Sequence, residues 1–67
     1  MSKKLLKIKM LEYGDTMDTL AEFLGISRQS LCNKINERGT EFRQGEIAKI
    51  KERYHLTAEE VEAIFFA

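Results

Sequence analysis

The sequence predicts an all-α fold, a compact bundle of five short helices in a single domain spanning residues 1–67. Three observations carry that expectation. The 67 residues contain no proline and only four glycines, so little interrupts helical propagation. Apolar residues recur at three- and four-residue intervals rather than alternating. Capping residues and glycines fall at the ends of those periodic runs, where helices start and stop.

The first segment, Lys3–Tyr13, is built from Leu, Lys, Met and Glu, all good helix formers. Leu6, Met10 and Tyr13 share one helical face, and Leu5, Ile8 and Leu11 broaden the apolar surface. The alternation Leu6-Lys7-Ile8-Lys9-Met10 is also a strand pattern, so residues 4–10 are read as helix with a short strand as the alternative. Gly14 ends this segment. Thr16 is placed to N-cap the next helix, with Asp18 and Glu22 near its positive end. Leu20, Ala21, Phe23 and Leu24 form its expected buried face. Gly25 supplies a turn that needs positive φ, and Ser27 caps the third helix, in which Leu31 and Ile35 face inward.

This pair of helices, Thr16–Ile35, has the pattern of a helix-turn-helix. Ala21 stands four residues before Gly25, a small residue where the two helices must approach closely, within the apolar set Leu20, Leu24, Ile26, Leu31 and Ile35. The remaining residues of the third helix, Arg28, Gln29, Ser30, Cys32, Asn33 and Lys34, form a polar, hydrogen-bonding outer face. Asn36–Phe42 is a loop marked by Gly39, with Phe42 expected to plug the core. A fourth helix covers roughly Gln44–Tyr54 through Ile47, Ile50 and Tyr54. Thr57-Ala58-Glu59-Glu60 is a capping box that opens a fifth, with Val61, Ile64 and Phe65 inward.

Bulk properties narrow the function. Lysines break the apolar run Leu5–Leu11, which is neither a signal-peptide core nor a membrane span, and the expected location is the cytoplasm. One cysteine, Cys32, and one histidine, His55, cannot build a zinc site, and no metal or other cofactor is expected. No nucleophile–base pair, carboxylate cluster or phosphate-cradling glycine loop is present, so the chain is not expected to be an enzyme. Net charge is zero, with eleven bases against eleven acids, but the distribution is uneven. Residues 1–10 carry four lysines and no acid; residues 11–26 carry Glu12, Asp15, Asp18 and Glu22 and no base. Residues 27–45 are basic again through Arg28, Lys34, Arg38 and Arg43, against Glu37 and Glu41. The third helix and its following loop are thus locally positive.

From Leu6 to Phe65 the chain resembles the lambda-repressor-like DNA-binding domains, and among them the small phage Cro-type repressors. LAEFLGISRQSLCNKIN carries the specific part, and TEFRQGEIAKI is similar to the segment that follows the motif in such repressors of Gram-positive bacteria. The resemblance implies a transcriptional regulator that lays a recognition helix, about residues 28–36, in the major groove of double-stranded DNA. It implies base readout by Arg28, Gln29 and Asn33. It implies phosphate contacts from Ser27, Ser30, Lys34 and Arg38, and more weakly from Thr40 and Arg43. The chemistry of these residues agrees: arginine can pair with guanine O6 and N7, and glutamine and asparagine with adenine N6 and N7. Three readers specify few base pairs, so a homodimer on two half-sites is expected, with Phe65 and Phe66 as the candidate interface. Three positions depart from the pattern. Met17 stands where a bracing glutamine is common, Arg43 where a capping Ser or Thr is common, and Asp15 where the position is often apolar. The alternative reading is a protein–protein module on the same fold, such as an antirepressor that captures a repressor. Zero net charge and the apolar C-terminal residues favour that alternative.

Overall fold

The computed structural model describes Met1–Ala67 and is all helical, without strands. Helix α1 spans Lys3–Glu12, α2 Met17–Leu24, α3 Arg28–Ile35, α4 Gln44–Arg53, and α5 Ala58–Val61. The last runs on without a break into a wider π-helical turn, Glu62–Phe66. Residues 4–10 are therefore helix, and the strand alternative is excluded.

Local chemistry sets the boundaries. Ser2, Thr16, Ser27 and Thr57 each accept a bond from a backbone N–H three residues on, capping α1, α2, α3 and α5. Arg43 at the start of α4 has no acceptor to offer. Only the return half of a capping box forms there, with the Arg43 N–H donating to Glu46 Oε1 at 2.9 Å. The other ends are alike. In α1 the Asp15 N–H reaches Met10 O and the Gly14 N–H reaches Leu11 O; in α2 Ile26 and Gly25 repeat the pattern on Ala21 and Glu22. Gly14 and Gly25 supply the left-handed residue, at φ 72° and 73°. The same turn closes α3 and α4, where the left-handed residues are Glu37 and His55.

Thirteen apolar side chains form one core: Leu6 and Met10 of α1, Leu20, Ala21 and Leu24 of α2, Leu31 and Ile35 of α3, Ile50 and Tyr54 of the α4 end, Ile64 and Phe65 of the π-helical turn, and Phe42 and Leu56 from the connections. Met17, Ile26, Ile47 and Val61 pack against it, half-buried. Phe42 plugs the core as expected, edge-on to Phe65 with ring centroids 5.6 Å apart. The Ser2 N–H donates to Ile64 O at 2.6 Å, tying the start of α1 to the final turn.

Three expectations are corrected here. Tyr13 is exposed and lies just past α1, because the helix ends at Glu12; its ring rests on Tyr54 instead, centroids 5.1 Å apart. Phe23 is exposed, lying under the Arg53 guanidinium at 4.4 Å rather than in the core. Phe65 is only 9 % exposed, so it belongs chiefly to the core and shows only an edge at the surface. Its neighbour Phe66 is 61 % exposed. No helix is long and apolar enough to cross a membrane.

Candidate nucleic-acid interface

The site candidates gather around α3. Successive residues of a helix turn by about 100°. Leu31, Lys34 and Ile35 consequently share the inward half of α3, and Gln29, Cys32 and Asn33 the outward half; Arg28 lies on the Leu31–Ile35 side but is exposed in the first turn, where it reaches Asp18 of α2. Helix α3 packs directly on α2, whose Leu20, Ala21 and Leu24 are buried. The Ser27 cap starts α3 cleanly, so Arg28 and Gln29 occupy its first turn in full solvent exposure.

Each candidate has a definite environment. Arg28 Nη1 lies 3.4 Å from Asp18 Oδ2, an ion pair between two exposed side chains that salt and water weaken readily. Gln29 Nε2 donates to Asn33 Oδ1 at 3.1 Å, linking the two amides one turn apart on the outward face. Asn33 and Ser30 are half-buried. The Ser30 N–H donates to Ser27 Oγ at 3.1 Å, and the Ser27 hydroxyl donates to Ser30 Oγ at 3.0 Å, so the two serines form one polar step at the α3 start. Arg38 and Thr40 are exposed on the loop and Arg43 is exposed at the head of α4. A polar cleft of about 400 Å³ brings Ser30 and Asn33 of α3 together with Thr40 and Arg43 across from them, with Lys34 and Glu46 on its walls.

Lys34 does not lie on the outer face where the sequence places it. It is buried, and its ammonium donates to Glu41 O at 3.3 Å and pairs with Glu46 Oε1 at 3.1 Å. Its helical position, beside Leu31 and Ile35, turns it toward α4. Burial opposes the charge on Glu46, yet the Arg43 N–H and the Lys34 ammonium hold its carboxyl below the ordinary value. With two of its three donors engaged inside the protein and its side chain buried, Lys34 is poorly placed to reach phosphate.

Two polar groups beside the site were not anticipated. Asn36, just past the end of α3, donates to Cys32 O at 3.0 Å and accepts from Lys3 Nζ at 3.2 Å. Lys3 thereby extends the basic rim from the loop to the start of α1. The four lysines of residues 1–10 were the visible signal, but nothing local to them indicates that α1 begins beside the end of α3.

Phe66 borders a separate open groove of about 750 Å³, whose apolar lining includes Met1, Phe42, Ile47 and Phe65. Comparison with known proteins finds no matching family model, no matching curated protein and no matching solved structure.

Proposed function

We propose that this chain is a sequence-specific DNA-binding regulator of transcription, similar to the small phage Cro-like repressors, that reads the major groove of duplex DNA with α3. The observation that carries the reading is the exposed surface of α3. Arg28, Gln29 and Asn33 offer base-edge donors and acceptors from a helix whose other half is locked in the core. Arg38, Thr40, Arg43 and the Ser27–Ser30 step flank that face, where phosphates run beside a docked helix. Lys3 adds a charge at the far end. The neutral total is unevenly spread along the chain: residues 27–45 carry four bases against two acids, while residues 11–26 carry four acids and no base. The regulator works as a homodimer on two half-sites.

The rival reading is a protein-binding module, and one observation favours it: Phe66 stands exposed beside a groove of mixed lining that includes Met1, Phe42, Ile47 and Phe65. A gel shift on the DNA flanking its own gene, with non-specific competitor, separates the two. The DNA reading expects a retarded complex that survives competitor. It expects Arg28→Ala and Gln29→Ala to lose selectivity for that DNA over random duplex, each by about 1–3 kcal/mol, with helicity unchanged. Failure of the parent to retard any duplex would overturn it.

A further inference from the structure

The loop Asn36–Phe42 has no regular structure, yet Arg38 and Thr40 sit on it and Arg43 follows directly. Its two ends are anchored by ordinary means. The Arg38 N–H donates to Asn33 O at 2.9 Å, and Phe42 is buried in the core. The middle is held by Lys34 and Glu46. Lys34 Nζ reaches the loop at Glu41 O and α4 at Glu46 Oε1, and that same carboxylate oxygen accepts the Arg43 N–H. The two side chains are only 9 % and 15 % exposed. Ion pairs this deep contribute little net stability, since desolvation offsets the attraction, but they fix geometry closely.

We propose that Lys34 and Glu46 form a latch that positions the DNA-binding edge. The pair draws the loop and the head of α4 against α3, so that Thr40 and Arg43 face the same phosphate backbone as Ser30. The polar cleft lined by Ser30, Asn33, Thr40 and Arg43 lies against this pair, with both latch residues on its walls. Lys34 thus acts on DNA through its neighbours and spends its own charge inside the protein. The inference rests on the DNA reading above.

Glu46→Gln gives the sharpest test, because the two possible roles of Lys34 predict opposite signs. If Lys34 touched phosphate itself, freeing it by neutralising an acid would tighten binding to a polyanion. The latch expects Glu46→Gln to weaken binding several-fold although the protein gains a unit of positive charge. It expects Lys34→Met to lower the slope of log K against log salt by more than the roughly 0.9 of one phosphate contact. The probe is a random-sequence duplex of about two helical turns, titrated over a salt series. Exchange of the hydrogen-bonded Arg38, Gly39 and Arg43 amides is measured on the free proteins, with helicity as the control for folding. Both variants should exchange these amides about tenfold faster or more while staying helical; should Lys34→Met fail to fold, Glu46→Gln carries the same test. Unchanged loop exchange, or Glu46→Gln binding as tightly as the parent, would overturn the latch. Absence of duplex binding by the parent at every salt concentration, with loop exchange accelerated as expected, would instead overturn the DNA reading and the phosphate role with it.

Discussion

Asp15 and Arg53 are joined by two parallel hydrogen bonds, Nε to Oδ2 and Nη2 to Oδ1, each 2.7 Å long. The Asp15 side chain is 4 % exposed and takes two further bonds, from Tyr54 Oη at 2.7 Å and Thr19 Oγ1 at 2.8 Å. One carboxylate therefore collects the turn after α1, the first part of α2 and the end of α4. The Arg53 guanidinium that grips it also covers Phe23, which explains how that ring can stand at the surface.

Acid should act through this carboxylate. Its bonds to Arg53, then to Tyr54 and Thr19, hold its folded-state pKa far below the ordinary carboxylate range, outweighing the opposing effect of burial. A depressed folded pKa contributes stability that is complete above the unfolded value and is lost as pH falls below it. Melting temperature should accordingly drop steeply below about pH 4 in the parent and far less steeply in Asp15→Asn. At neutral pH, Asp15→Asn should cost about 3 kcal/mol, the low end for breaking a buried ion pair, because Arg53 remains partly in water. Equal acid slopes in thermal melts of the two proteins would show that other carboxylates set the acid limit.

Replacing His55 by glycine should stabilise the fold. His55 holds φ 51°, a left-handed conformation that penalises L side chains, and its N–H must still close the end of α4 on Glu52 O. Glycine adopts that turn without strain, and the gain should be about 1 kcal/mol. The tilted contact between His55 and Tyr13, centroids 6.3 Å apart, is lost in exchange. Denaturant titration checks the sign: a midpoint at or below the parent's would mean that this contact outweighs the relief.

Ala21→Leu should destabilise the domain by about 1–3 kcal/mol, the usual effect of overpacking. Ala21 is buried in the core on α2, the helix that packs on α3, and added carbon atoms there must displace the surrounding core side chains. For a domain of this size, each kcal/mol corresponds to roughly 4–8 °C in melting temperature. An unchanged Tm would show that the core there leaves more room than its packing indicates.

Arg38→Ala and Arg43→Ala should weaken binding to all duplex sequences alike, each reducing the salt slope by about 0.9. Both side chains are exposed beside the α3 face, and phosphate contacts carry affinity without sequence information. A slope untouched in both variants would remove the loop from the interface.

Phe66→Ser should weaken self-association, read by sedimentation of free and DNA-bound protein. Phe66 is largely exposed next to a groove whose apolar part is Met1, Phe42, Ile47 and Phe65, an arrangement in which a two-fold pair could exchange rings. A one-to-one complex on DNA carrying two half-sites would defeat the dimer itself. A dimer indifferent to Phe66→Ser would place its contact elsewhere.

The helices were legible because their signals are local. Apolar spacing and the caps at Thr16, Ser27 and Thr57 specify them within a few residues. Gly14 and Gly25 announce their turns by residue type, whereas Glu37 and His55 make the same turn with side chains that give no hint of it. The misjudged residues are those whose partners are distant in the chain. Lys34 reads as a surface cation until Glu46, twelve residues later, is folded over it. Asp15 reads as a misplaced polar residue because Arg53 and Tyr54 lie 38 and 39 residues away. Phe23 and Tyr13 have apolar bodies suited to a core, and their exposure follows from ring contacts that only tertiary structure supplies.

The division of α3 into a locked inner half and an open outer half has a consequence for how such a molecule can change. Leu31, Lys34 and Ile35 bear the mechanical load, while Arg28 and Gln29 bear none and Asn33 bears little. Amino acids at those exposed positions can be exchanged at small thermodynamic penalty on an unchanged scaffold. On the DNA reading proposed above, base preference would then be free to drift, or to be rewritten by design, without cost to foldability.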